Sequence, residues 1–186
     1  MQKEELYKAL DYVNHSREKR AEMSSLVLNN PELVQPLLEI AFDVDDSISN
    51  RACWVLEFAA KENIGYILPY LDLFTSNLRN VHFDSAVRPM AKICEFLTKA
   101  YFSKDNNRVK QKVTESHLEL ITAACFDWLI GEHKVAAQAY SMTCLLLLGR
   151  KYDWIHPELK MVIEQNYGSG SAAYKARARH TLAKLK

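Results

Sequence analysis

Two stretches of the chain match when one is shifted by 38 residues, and this self-similarity constrains the fold more than any other feature. Asp46-Ser47 falls on Asp84-Ser85, Val55 on Ile93, Glu57-Phe58 on Glu95-Phe96, and Lys61 on Lys99. Both stretches, 47–61 and about 84–102, space their apolar residues three and four apart, the period of a helix with one buried face. Each follows a shorter amphipathic segment. These are Glu32 to Phe42, with Leu33, Leu37, Leu38 and Ile40, and residues 64–79, with Ile67, Leu68, Leu71, Phe74 and Leu78. A helix pair that cannot cover its own apolar face must stack on another like it. Ala52, Val55, Leu56, Phe58, Ile93, Phe96 and Leu97 are therefore predicted to lie buried between layers.

The helical period fills most of what remains. Residues 3–28 read as one helix, with Leu6, Leu10, Val13 and Leu26 toward the core and Arg17, Lys19 and Arg20 as solvated charges; Asn30-Pro31 stops or restarts it, with Pro31 allowed in a first turn. The polar stretch Ser103 to Ser116 reads as a loop. A third pair covers 116–130 and 133–149 and turns at Gly131; a fourth begins at His156-Pro157 and crosses Gly168-Ser169-Gly170. With 5 Gly and 5 Pro in 186 residues, there is little turn chemistry for an all-β fold. The expected architecture is a single all-α domain over 1–186. It consists of an N-terminal helix (1–30) and about four helix pairs (32–61, 64–102, 116–149, 156–186) wound as an α-α superhelix, a solenoid.

Within the solenoids, the pairs resemble HEAT-type repeats: a short first helix, an aspartate-bearing turn, and a second helix with a basic residue beside alanines near its start. Those second helices read Arg51-Ala52, Ala86-Val87-Arg88, Lys134-Val135-Ala136-Ala137 and Lys175-Ala176-Arg177. The pattern departs from the family at Pro89, inside the second helix of the second pair, and in the third and fourth turns, which lack the aspartate. The whole chain also resembles a family of similar-length proteins from Bacteroidetes-type bacteria, some of which carry the label adenylosuccinate lyase. That enzyme family has a Gly-Ser-Ser-x-Met-Pro-x-Lys-x-Asn-Pro loop. The nearest stretch here, Gly168-Ser169-Gly170-Ser171-Ala172-Ala173, has no Met-Pro-x-Lys, so the lyase reading is rejected.

Chemistry-bearing patterns are few. The six histidines form no His-x-x-x-His or Cys-x-x-His pair, and no metal is expected. The four cysteines sit apart among apolar neighbours and read as buried free thiols. There is no Gly-x-Ser-x-Gly, Walker or Gly-x-Gly-x-x-Gly sequence, so neither an enzyme nor a cofactor is expected. Glu57 and Glu95 take equivalent places in successive helices. They read either as a carboxylate pair near one another on one face or, more simply, as partners of basic residues such as Arg88 and Lys92. The N-terminus is charged from Lys3 and has no apolar core. The longest apolar run is Cys144 to Leu148, so a cytoplasmic protein without membrane contact is expected.

Net charge of +1 argues against a generic polyanion binder, but the charge is unevenly placed. Residues 32–72 carry a net −6, residues 99–112 a net +4 and residues 172–186 a net +5. Aromatic residues (Trp54, Phe58, Phe96, Trp128, Trp154) read mainly as core. The leading functional reading is a non-catalytic scaffold that binds protein or peptide, with an acidic segment held in a basic and aromatic concave groove. Arg51, Trp54, Arg88, Lys92, Lys134, Tyr140 and Arg177 would line that groove, and Glu57 and Glu95 would orient the guanidinium groups. Oligomeric state is not legible. The alternative reading is a DNA-binding or lesion-processing protein. Here the build resembles HEAT-like alkylpurine DNA glycosylases, whose Trp, Arg and Asp would correspond to Trp54, Arg88 and Asp127-Trp128.

Overall fold

Eleven α-helices and four short 3-10 segments make up the protein in a computed structural model that describes residues 2–185. The helices are α1 (Lys3–Leu10), α2 (Arg17–Asn29), α3 (Val34–Ala41), α4 (Ser47–Glu62), α5 (Leu71–Asn77), α6 (Asp84–Tyr101), α7 (Arg108–Lys112), α8 (Glu115–Ile130), α9 (Val135–Leu148), α10 (Ile155–Tyr167) and α11 (Ala172–Leu182). No strand occurs among the described residues. No helix is long and apolar enough to cross a membrane.

Helix starts follow the capping side chains. Ser16 accepts from the Lys19 N–H, Asp46 from Ile48, Asn107 from Lys110, and Ser171 from Tyr174; each satisfies a backbone donor that the first turn leaves open. At α8, Thr114 accepts from the His117 N–H while His117 Nδ1 accepts from the Thr114 N–H, a reciprocal cap.

Three sequence expectations are corrected. The single helix over 3–28 is two helices, because Asn14 Oδ1 accepts from the Ser16 N–H and Ser16 then caps α2; these short polar side chains offer the backbone an alternative to helix. Residues 64–79 are a chain of 3-10 turns around α5: Asn63 Oδ1 takes the Gly65 N–H, and Pro69 lies inside the 3-10 turn Leu68–Tyr70. The loop over 103–116 contains α7. The Pro31 restart, by contrast, is found in the 3-10 turn Pro31–Leu33 that leads into α3.

Five helices form a row. α2 lies against α4, α4 against α6, α6 against α9, and α9 against α11. Cross-helix contacts fix their directions. Arg20 meets Phe58, and Leu28, near the end of α2, accepts from the Tyr66 hydroxyl just past α4, so α2 and α4 run parallel. Trp54 meets Ser85 and Glu57 meets Arg88, both 31 residues on, so α4 and α6 run parallel. Lys92 over Tyr140 and Thr98 beside Cys144 do the same for α6 and α9. The other helices cover this row: α1 and α3 on α4, α5 on α8, α8 on α9, and α10 on α9 and α11.

Five of the seven predicted core residues are buried: Ala52, Val55, Leu56, Ile93 and Leu97. Phe58 and Phe96 are only half-buried. They share one place in the 38-residue pattern and one environment, each with a cation over its ring: Arg20 at 5.0 Å and Lys92 at 5.1 Å. Trp128 is core, whereas Trp154 is 55% exposed and stacks on Phe126 at 5.8 Å. All four cysteines are buried free thiols. Ile93→Ala should therefore cost about 3 kcal/mol, and Phe96→Ala distinctly less, as read from urea-denaturation midpoints. An equal loss at the two sites would contradict this assignment of layers.

Candidate functional site

A groove of about 580 Å³ opens between α2, α4, α6 and the start of α9. From the first segment come His15, Arg17 and Arg20; from α4 come Trp54, Glu57, Phe58 and Lys61; Asp84, Ser85 and Arg88 belong to α6; Lys134 and Ala136 open α9.

One wall is built by a proline. Pro89 lies inside α6 and has no N–H, so the carbonyl of Ser85, four residues earlier, loses its helical donor. The indole N–H of Trp54 fills that gap and donates to Ser85 O at 2.7 Å. One turn earlier on α4, Asn50 Oδ1 accepts from the Ser85 hydroxyl at 2.7 Å. One turn later, Glu57 receives both Nη1 (3.0 Å) and Nη2 (2.6 Å) of Arg88. Asn50, Trp54 and Glu57 thus form a ladder of polar contacts that fixes α4 on α6. It leaves Trp54 only 9% exposed, as the groove's aromatic edge.

Arg20 closes the other side. Its guanidinium lies 5.0 Å from the Phe58 ring centre and 6.0 Å from that of Trp54, while Nε and Nη2 donate to the carbonyls of Ser16 (3.1 Å) and His15 (2.7 Å). The His15 ring lies against Trp54, tilted by 41° with ring centres 4.9 Å apart. Burial, and then the neighbouring charge of Arg88, pull the Arg20 pKa below its ordinary value, partly offset by Glu57. Among the described residues, Arg17, Arg20, Lys61 and Lys134 form no ion pair, whereas Arg88 is matched by Glu57. Asp84 is occupied as well, by His133 at 2.9 Å and the Lys134 N–H. The groove therefore holds four cations without internal counter-charge. The N-terminal ends of α6 and α9 and the segment leading into α2 add the positive ends of their helix dipoles.

The residues named from sequence divide between this groove and its surroundings. Trp54, Glu57, Arg88 and Lys134 line it. Lys92 and Glu95 lie farther along α6 and pair with each other at 2.6 Å, with Lys92 also 4.3 Å from the Tyr140 ring centre. Arg51 is elsewhere: it binds the carbonyl of Asp11 at 2.6 Å and the Asp11 carboxylate, and so ties α1 to α4. Arg177 belongs to α11, beyond α9. Asp127 is bound by Arg79, and Trp128 is 2% exposed with its indole on Val81 O, so neither joins Trp54 and Arg88.

Glu57 and Glu95 do not form a carboxylate pair. Glu95 is held by Lys92 and by Lys99 at 2.9 Å; burial pushes its carboxyl up, and those two hydrogen bonds outweigh burial and leave it below the ordinary value. Its stabilising contribution is thus present above the ordinary carboxylate range and is lost only as pH falls through the lowered value. Sequence reading missed Arg17, Arg20 and Phe58 as groove residues. The available signal was Asn14-His15-Ser16, a polar break and cap that reorients the arginines behind it.

No protein-family model, curated protein or solved structure matches the chain.

The ladder gives a sharp test. Trp54→Phe strands the Ser85 carbonyl and should cost about 2 kcal/mol. In the Pro89→Ala background the restored backbone N–H can close on that carbonyl, so the same substitution should cost measurably less. Equal losses in the two backgrounds would mean that proline and tryptophan are not coupled.

Proposed function

We propose that this chain is a non-catalytic protein- or peptide-binding module of the cytoplasm, built as a HEAT-like α-α superhelix, and that its basic, aromatic-edged groove holds an acidic segment of a partner. The row α2–α4–α6–α9–α11, parallel from α2 to α9 and covered by the remaining helices, supports the helical-repeat reading. The observation that carries the function is the charge imbalance: Arg17, Arg20, Lys61 and Lys134 face one groove with no carboxylate partner. Like charges brought together repel, and an incoming anion relieves that repulsion and gains directed hydrogen bonds.

The carboxylates and thiols support binding over catalysis. Glu57 and Glu95 are both engaged by cations, and burial raises the Cys53 and Cys94 thiols well above their ordinary range. A DNA-lesion reader would need its aromatic residue free to stack against a displaced base; the Trp54 face is covered by His15 and Arg20, and its N–H is spent on Ser85.

The test is fluorescence anisotropy with a labelled Glu/Asp-rich peptide at rising salt. Binding should weaken steadily with ionic strength, and Lys134→Glu should weaken it by about tenfold or more while the melting temperature stays unchanged. Displacement of the peptide by duplex DNA at equal charge concentration would favour the DNA-binding reading instead.

A further inference from the structure

We infer that the group anchored in this groove is a phosphoryl dianion on a phosphorylated side chain of the partner peptide. The inference deepens the acidic-segment reading and rests on it. It comes from counting which donors remain free.

A planar carboxylate is recognised best by a two-pronged fork of parallel N–H groups. Arg88 already lays such a fork on Glu57 through both Nη atoms. Arg20 spends Nε and one Nη2 hydrogen on the backbone carbonyls of Ser16 and His15 and keeps its Nη1 side. What is left is four cations on separate residues: Arg20, the ammonium groups of Lys61 and Lys134, and the guanidinium of Arg17 on the rim.

Donors from four residues on three elements suit a group with three acceptor oxygens better than a group with two. Charge points the same way. Glu57 is already matched by Arg88, so the four unmatched cations set the charge that a ligand meets. A phosphoryl group, with a charge of about −1.5 to −2 at neutral pH, brings more charge to one point than a carboxylate does. The aromatic edge of Trp54 and Phe58 gives the adjoining peptide an apolar surface beside the anion.

The experiment uses the full chain and three peptide libraries with identical degenerate flanks and a fixed central residue: serine, glutamate or phosphoserine. The phosphoserine library should bind about tenfold or more tightly than the glutamate library, with the serine library not retained. Arg20→Gln should abolish that preference, and circular dichroism reports whether this variant folds. Lys61→Gln, at an exposed position, should reduce the preference in any case. Equal binding of the glutamate and phosphoserine libraries would overturn the inference and leave the acidic-segment reading standing. Retention of neither acidic library would overturn both. Inorganic phosphate that binds as tightly as the phosphopeptide would replace the peptide by a small anion. Displacement by single-stranded oligonucleotide at equal charge would replace it by a nucleic acid.

Discussion

The hydrogen bond from the Trp54 indole to the Ser85 carbonyl is the contact on which the rest of the groove depends. It exists because Pro89 cannot serve that carbonyl from within its own helix. A buried acceptor without a donor is costly, so the proline in effect requires a neighbour to supply one. Tryptophan meets the need with a long, rigid side chain that also forms the wall. Asn50 and Glu57, one turn to either side of Trp54 on α4, then find Ser85 and Arg88 at matching heights on α6. A residue that departs from the helical-repeat pattern thereby fixes the register between two helices.

That register decides the electrostatics. The sequence match relates residues 38 apart, yet α4 and α6 touch at residues 31 apart, a slip of about two helical turns, or roughly 10 Å along the axis. Glu57 consequently meets Arg88 rather than its sequence counterpart Glu95, which is left to Lys92 and Lys99. With both glutamates and Asp84 committed to partners, nothing internal remains to balance Arg17, Arg20, Lys61 and Lys134. The near-neutral chain carries a local positive site because its negative charge is spent elsewhere, much of it on helix caps and rim pairs such as Asp46, Asp11 and Asp127.

The N-terminal segment shows where sequence reading runs short. Of its expected core residues, Leu6, Leu10 and Val13 are buried, whereas Leu26 is only half-buried and its neighbour Val27 takes the core position. The break at Asn14-His15-Ser16 ends α1 and restarts the chain as α2, and Arg20 there lies on Phe58 and Trp54 instead of in solvent. Periodicity registers apolar faces; it does not register a cation laid over an aromatic ring, because an arginine in either setting looks like a solvated charge. The sequence reads Phe58 and Phe96 as buried for the same reason: each is half-buried with a cation over its ring, Arg20 of α2 for Phe58 and Lys92, one turn earlier on α6, for Phe96, and neither position breaks the apolar period.

By itself, the sequence determined the all-helical class, most of the helix starts and most of the aliphatic core. Each of these follows from short-range rules: the 3.6-residue period, capping side chains, and scarce glycine and proline. Among the residues singled out beforehand, Trp54, Glu57, Arg88 and Lys134 are those the fold brings to one place. Arg51 is diverted to Asp11, and Arg177 lies beyond α9. Only the tertiary structure decided which charges meet and which are left unmatched. Ion pairing depends on the axial offset between neighbouring helices, and that offset is set by a few long-range contacts, Trp54 with Ser85 foremost, that leave no periodic trace in the chain.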